Sequence, residues 1–347
     1  MFPANHWHTS SDYQPVAVHC DYVPLSHLAS YLSISAQNIL AIISFGKDIP
    51  GAATLPCPLN KVDTPQLDNT SMVEVWASPG PVSHGEQHGI HYSASDEVFF
   101  GSIHIAELGQ APLDVISRKT HRNIFDLLQA KGYPHLIRVW NYLPNINQIT
   151  NGLERYQLFC LGRHQAFSER NSFSERDLPA ASTIGTRDRN FQIYFLAARQ
   201  AGKQIENPRQ VSAFHYPRCY GPRSPSFSRA VLKKWKGEHH LYISGTASIV
   251  GHESCHHGSP QEQLRETLCN IESLLERAKH TANVDCGSLC NPSSMKIYIR
   301  HAQDFEQIKR ALEKRVSHKI PMLYLQGDIC RSDLLLEIEA ICHMHRY

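Results

Sequence analysis

Three things are scarce in this 347-residue sequence: an excess of one charge, a long hydrophobic run, and a dense framework of closely spaced cysteines. Lys and Arg number 34 against 32 Asp and Glu, a net charge of +2, and no basic tract stands out. That balance argues against a nucleic-acid binder, whose affinity would come from a concentrated cationic face. The longest apolar stretch, 39–45, is far short of the roughly 20 residues that cross a bilayer. Residues 1–10 have neither the basic n-region nor the apolar h-region of a signal peptide. The expectation is a soluble, cytoplasmic chain with no membrane or nucleic-acid partner. Its ten cysteines are scattered, as reduced thiols would be. Two groups have zinc-ligand chemistry: Cys286-x3-Cys290, and His252 with Cys255, His256 and His257. Neither has a second pair at finger spacing, and 286–294 reads as a loop, so no metal is expected. No Gly-rich phosphate loop is present either, and no cofactor is expected.

What the sequence does contain is 41 % apolar residues, enough for one large core or two ordinary ones, and an internal repeat. PAASTIG (179–185) followed by FQIYFLAA (191–198) has the layout of PMLYLQG (321–327) followed by DLLLEIEA (333–340). Upstream, VFFGSIH (98–104) parallels LYISGTAS (241–248), and NIFDLLQAK (123–131) parallels NIESLLERA (270–278). Each copy reads as a strand, a helix, a strand, a second helix and two closing strands. In the first copy the helices are expected at 113–131, ended by Gly132, and at 146–166, with a strand at 136–143 between them. In the second, a 262–279 helix carries Leu264, Leu268, Ile271, Leu274 and Leu275 at amphipathic spacing. A strand at 295–300 and a helix at 305–315 follow. The fold class is therefore α+β, with two tandem units, 71–210 and 211–347, each a mixed sheet with helices on one face. Residues 1–70 are an unassigned N-terminal extension.

The second unit resembles the RidA/YjgF family, of chorismate-mutase-like fold. PSFSRA (225–230), the SG of LYISGTAS and LEIEAI (336–341) match that family's landmarks, and the first unit is similar to a degenerate copy. Four further segments, NGLERYQLFCLGRHQAF (151–167), HYPRCYGPRSPSFSRA (215–230), SGTASIVGHES (244–254) and GDIC (327–330), narrow the resemblance to the chorismatase family. They are most similar to its 3-hydroxybenzoate synthases and bifunctional 3-/4-hydroxybenzoate synthases, which supply xanthomonadin and ubiquinone precursors. The likeness spans about residues 70–347. It implies chorismate as substrate, pyruvate as one product and no cofactor. Single-unit relatives are trimers, so either a homo-oligomer or a monomer with tandem units is compatible with it.

Within that reading, Glu337 is the leading general acid. Its counterpart in the first unit is Phe195, so the carboxylate was kept in one copy only, and an otherwise apolar strand would partly desolvate it and raise its pKa. Glu339 shares its face by period two and is the rival or an orienting partner; a salt bridge from Glu337 to Arg331 is the plain structural alternative. Cys330 sits at a turn seven residues before Glu337. The resemblance gives it a role in steering the ring toward an aromatic product, whereas a reactive thiol would need an electropositive surrounding. Thr246, Ala247 and Ser248 end a strand with small side chains that let a planar ligand approach. Ala247, where the resemblance associates glycine with aromatic products, pairs with Cys330 in a mixed combination. Between 151 and 230 lie eleven arginines and one lysine, and a guanidinium fork matches a carboxylate bidentately. Arg155, Arg163, Arg223 and Arg229, with Tyr156, Tyr216 and Tyr220, are the candidate substrate contacts, Arg163 and Arg229 being the expected carboxylate clamp. The arginine that holds the substrate in imine deaminases of the RidA type has no match near 319–322, which weighs against that activity.

Overall fold

A computed structural model describes residues 18–51, 55–106, 111–170, 173–236, 238–282 and 292–344. The repeated units are both there, and the same strand order occurs a third time. In the first unit the strands Val98–Ala106, His135–Pro144, Ala180–Thr186 and Asn190–Ala198 lie with the first beside the fourth, the fourth beside the second and the second beside the third. His239–Thr246, Ser294–Ile299, Met322–Gln326 and Leu336–Met344 repeat that order in the second unit. The N-terminal strands His19–Pro24, Ile39–Phe45, Leu59–Val62 and Met72–Ala77 repeat it again. In all three the second and third strands are parallel and the other two pairings antiparallel. The extension left unassigned by sequence is thus a third, shortened copy of the sheet. Met72–Ala77 belongs to it, and Lys203–Ile205 pairs into the second unit's sheet.

Each sheet has one face under its own helices. Helices Leu113–Lys131 and Arg155–Ser168 cover the first unit, Pro260–Ala282 and Phe305–Glu313 the second, and Leu28–Ser35 the N-terminal copy. The opposite faces of all three sheets meet in one shared core that includes Phe45, Trp76, Trp140, Tyr142, Tyr194, Tyr242 and Tyr298. Strand periodicity sets this up. Along Leu336–Met344, Leu336, Ile338, Ala340 and Cys342 go to the helices, while Glu337, Glu339 and Ile341 face the other way. The edges also touch: Gln66 bridges Leu325, and Asp328–Ile329 adds to the edge of Ala180–Thr186.

One element departs from the sequence reading. The helix expected over 146–166 begins only at Arg155, because Ile149–Thr150 and Leu153–Glu154 form a hairpin first. Asn151 and Gly152, at φ 53° and 81°, make its two-residue turn, the left-handed pair that Asn-Gly supplies readily. Glu154 then caps the helix, with Gln157 returning a bond to its backbone.

At the centre of the shared core is a buried ionic network that takes a group from every copy. Glu339 accepts from Arg138 at 2.7 Å, Trp140 at 2.7 Å and Ser182 at 2.6 Å, and pairs with Lys296 at 3.0 Å. Lys296 also reaches Glu74 of the N-terminal sheet at 2.7 Å, and Trp76 donates to Glu74. Burial alone would raise the Glu339 pKa, but Lys296 and Arg138 hold it below the usual carboxylate range. Burial likewise opposes the charge on Lys296, and Glu339 and Glu74 more than restore it. Removing one partner leaves a buried charge uncompensated. Lys296→Ala is expected to cost about 3–5 kcal/mol, whereas Lys61→Ala, which removes an exposed pair with Asp48, leaves stability nearly unchanged; urea unfolding midpoints make the comparison.

Candidate active site

A cavity of about 320 Å³ opens where the first unit meets the second. The first unit supplies the start of helix Arg155–Ser168, through Tyr156, Gln157 and Cys160, and the strand residues Ala181–Thr183. The second supplies the 216–229 loop, Gly245, Ala247, the 330–334 loop and Glu337. The two walls are stitched together by Ser244, whose hydroxyl donates to Ser228 O at 2.6 Å and accepts from Ala181 N at 2.9 Å.

Glu337 lies on the cavity floor. It is buried, and its Oε1 has no hydrogen-bond partner. Desolvation first, and the charge of Glu339 second, push its pKa up to about 8, against the weaker pull of Arg138 and Arg229. The two strand neighbours of like orientation thus separate into an ionised Glu339 locked in the network and a neutral Glu337 facing open space. Close packing requires glycine beside it: a Cβ on Gly245 would stand 1.8 Å from Glu337 Oε1. The Gly245 N–H donates to Ser182 Oγ at 3.0 Å, and that same hydroxyl serves Glu339. In the first unit a Cβ on Gly101 would likewise collide with Phe195, at 2.3 Å. Phe195 is nevertheless not the spatial counterpart of Glu337 that the repeat suggests: it packs under the helices of its own unit, on the opposite face of the sheet, and a register shift around Gly245 separates the two arrangements.

Cys330 also lines the cavity, but its surroundings are not those of a thiolate. Burial, with Glu337 adding to it, pushes the thiol up to about 12, and Arg331 offsets this only in part. Arg331 does not pair with Glu337. It stacks on Tyr220 at 3.8 Å and donates through Nη1 to His252 O at 2.8 Å, while its buried Nη2 has no partner. Arg229 donates to Tyr216 OH at 2.6 Å and Val211 O at 2.8 Å, and its Nε is unpartnered. Two guanidiniums with unused donors therefore stand in the walls above a neutral acid.

Of the residues singled out by sequence, Glu337, Cys330, Tyr156, Tyr216, Tyr220, Arg223, Arg229 and Ala247 line the cavity. Thr246 and Ser248 do not: Thr246 Oγ1 donates to Ser244 O at 2.9 Å and Ser248 Oγ to Cys255 O at 3.0 Å, because alternation turns them away from Ala247. Arg155 does not line it either; its Nε donates to Pro144 O at 2.6 Å and secures the start of the helix. Arg163 is buried behind the wall, over the Phe159 ring at 4.7 Å and beside Cys160, with Nε and Nη2 unpartnered. Of the two zinc-ligand groups, Cys286 and Cys290 lie outside the described residues. The 252–257 group does not converge: His252 goes to Tyr220, Cys255 to Glu253 O, His256 to Glu266 and His257 to Asp333.

Ser182, Gln157 and Arg300 escaped the sequence reading. Arg300 does not touch the cavity but organises its loop, donating to Ile329 O at 3.0 Å, Arg331 O at 2.9 Å and Leu334 O at 2.8 Å, and pairing with Asp328 at 2.9 Å. Asn147 adds bonds to the carbonyls of residues 329 and 330. An arginine following an apolar strand gives no sequence signal of such a role.

The fold and this cavity define an α+β protein with a small-molecule site that sets a neutral acid beneath arginine donors. Comparison with known proteins narrows the class. The family description "Chorismatase FkbO/Hyg5-like, N-terminal" matches residues 74–197. A 3-hydroxybenzoate synthase of Streptomyces hygroscopicus is 36 % identical over 321 residues, 88 % of this chain and 92 % of that protein. A chorismatase of Streptomyces rapamycinicus is 36 % identical over 299 residues, covering 82 % and 86 %. A chorismatase crystal structure superposes with a TM-score of 0.84 at 32 % identity, covering 94 % of this chain and 98 % of that one. The chain belongs to the chorismatase family and is a chorismate-converting enzyme.

Because Arg300 fixes the loop that carries Cys330 and Arg331, Arg300→Ala is expected to lower kcat/KM on chorismate about 100-fold, the scale of a misplaced site. Arg300→Lys keeps the charge without the fork and should recover only part of it. Hydrogen exchange across 329–334 would show the loosened backbone.

Proposed function

We propose that the enzyme removes the enolpyruvyl group of chorismate as pyruvate, with Glu337 as the general acid and hydroxybenzoate, chiefly the 3-isomer, as the ring product. The observation that carries this reading is the neutral, unpartnered Glu337 carboxyl at the base of a cavity whose walls offer unused guanidinium donors. An enol ether is cleaved by protonating its terminal methylene, which calls for an acid still protonated near neutral pH. A substrate with two carboxylates calls for separate cationic anchors. Arg229 and Arg331 have donors free for them, and Arg223 stands at the same wall. Arg331 thereby takes the place in the clamp that sequence gave to Arg163, which supports the wall from behind. Tyr216 and Tyr220 hold the two arginines and leave the cavity flanked by rings, suited to a cyclic substrate.

The chemistry follows from the acid. Proton transfer from Glu337 to the methylene generates an oxocarbenium-like centre, and the charges of Arg138 and Arg229 favour the resulting carboxylate. Attack by water gives pyruvate and a dihydroxycyclohexadiene carboxylate, with the water proton returning to Glu337. Participation of the neighbouring ring hydroxyl opens an epoxide-like route that aromatises to 3-hydroxybenzoate with no net water consumed; direct elimination gives 4-hydroxybenzoate. Cys330, held as a neutral thiol in the same cavity, acts on the ring by contact and proton donation, not as a nucleophile. Ala247 on the facing wall is the one observation that favours the hydrolytic outcome.

Incubation with chorismate, with pyruvate followed enzymatically and ring products resolved by chromatography, tests the reading. Pyruvate should form without added cofactor, and its absence would refute the proposal. Glu337→Gln should abolish turnover, and Cys330→Ala should change the product ratio more than the pyruvate yield. The acid must be protonated, and its pKa lies near 8. Turnover is thus expected to hold steady below that pH and to fall about tenfold per unit above it.

A further inference from the structure

Away from the cavity, Glu238, His240 and His343 converge, with one ligand-type atom of each lying within 4.8 Å of the others. We propose that they form a site for one divalent transition-metal ion of the zinc class, which clips the end of the last strand to its neighbour. Glu238 immediately precedes the strand His239–Thr246, His240 lies near its start, and His343 stands directly opposite His240 on Leu336–Met344. His240 Nε2 is 2.9 Å from Glu238 Oε1. The His240 and His343 rings stack at 4.1 Å with planes 13° apart.

Three features favour a metal over a simple polar cluster. Two imidazoles and one carboxylate are the protein donor set of open zinc sites, and nitrogen donors select zinc, nickel or cobalt over magnesium and calcium. The second nitrogen of His240 is already held from behind: Nδ1 lies 3.3 Å from Tyr242 OH, which accepts from Trp235 Nε1 at 3.1 Å, the outer support that orients metal-binding histidines. His240 and Glu238 are buried while His343 is partly exposed, so the set has an entrance on one side. Tetrahedral ligands about 2.1 Å from the ion lie roughly 3.4 Å apart, so side-chain rotation must draw the set together slightly. The site is six residues along the strand from Glu337, about 20 Å at ~3.3 Å per residue. Its role is therefore structural, and the chorismate chemistry does not pass through it.

The full chain, stripped with chelator and dialysed, is titrated with Zn²⁺ by calorimetry and with Co²⁺ by visible absorption. One equivalent should bind, with the intense visible bands of a tetrahedral cobalt centre and a raised unfolding midpoint. His343→Ala and Glu238→Gln should each weaken that binding by at least about 10- to 100-fold, the loss that even outer supports of metal ligands produce. The Glu238 variant keeps both rings and serves where the His343 variant fails to fold. Failure of the wild-type chain to bind a stoichiometric ion, or retention of full affinity in either folded variant, overturns the proposal.

Discussion

The architecture turns on one buried ionic network, in which Glu339 and Glu74 are matched by Arg138 and Lys296. Three sheets that each bury one face under their own helices still have three apolar faces to cover, and they do so by facing one another. A core of that kind is hydrophobic and therefore weakly directional. Ion pairs with one member on each sheet are directional, since a shift in the register of any sheet would strand a charge in the interior. Lys296 comes from the second unit, Arg138 from the first and Glu74 from the N-terminal copy, so the network fixes the three relative to one another.

The same network sets the chemistry of the cavity beside it. Two carboxylates and two cations are already in balance before Glu337 is counted. A third carboxylate two residues from Glu339, out of water and only weakly favoured by Arg138 and Arg229, is held in its neutral form. Ser182 is the physical link, since its hydroxyl donates to Glu339 while accepting from Arg138 and from the Gly245 N–H that lies against Glu337. The interaction that orders the sheets thus adds the charge of Glu339 to the burial that chiefly keeps this acid protonated near neutral pH.

Much of this was legible in the sequence where periodicity or motif carries it. The repeat, the helix 113–131 and the inward orientation of both Glu337 and Glu339 follow from spacing alone, and the helix and strand boundaries agree closely. The start of the next helix was misplaced because Asn-Gly turn chemistry, local and short, overrides a long apolar pattern. The N-terminal copy was illegible for another reason: its sheet kept the strand order but, among the described residues, only one short α-helix, so no helical period of comparable length was there to align. Thr246 and Ser248 were chosen as part of a small-residue run, but alternation along the chain presents only Gly245 and Ala247 to the cavity. The arginines were the least legible, since composition shows that guanidiniums are abundant and not which of them keep an unused donor. That distinction depends on Val211 O, His252 O and the tyrosine rings, all distant in sequence from the arginines' own motifs.

Comparison of the two full units shows how the acid differs from ordinary core. Phe195 and Glu337 stand on opposite faces of their strands: Phe195 stacks with Phe99 among the residues under the first unit's helices, whereas Glu337 points away from the second unit's helices, against Gly245. On that face its carboxyl has no partner, and the space in front of it is bounded by the helix and strand of the neighbouring unit. The cavity therefore requires the first unit to be present, because Tyr156, Ser182 and the helix behind them form the wall that takes the acid out of water. The degenerate copy carries no acid at the aligned position but supplies the environment that surrounds the one in the second unit.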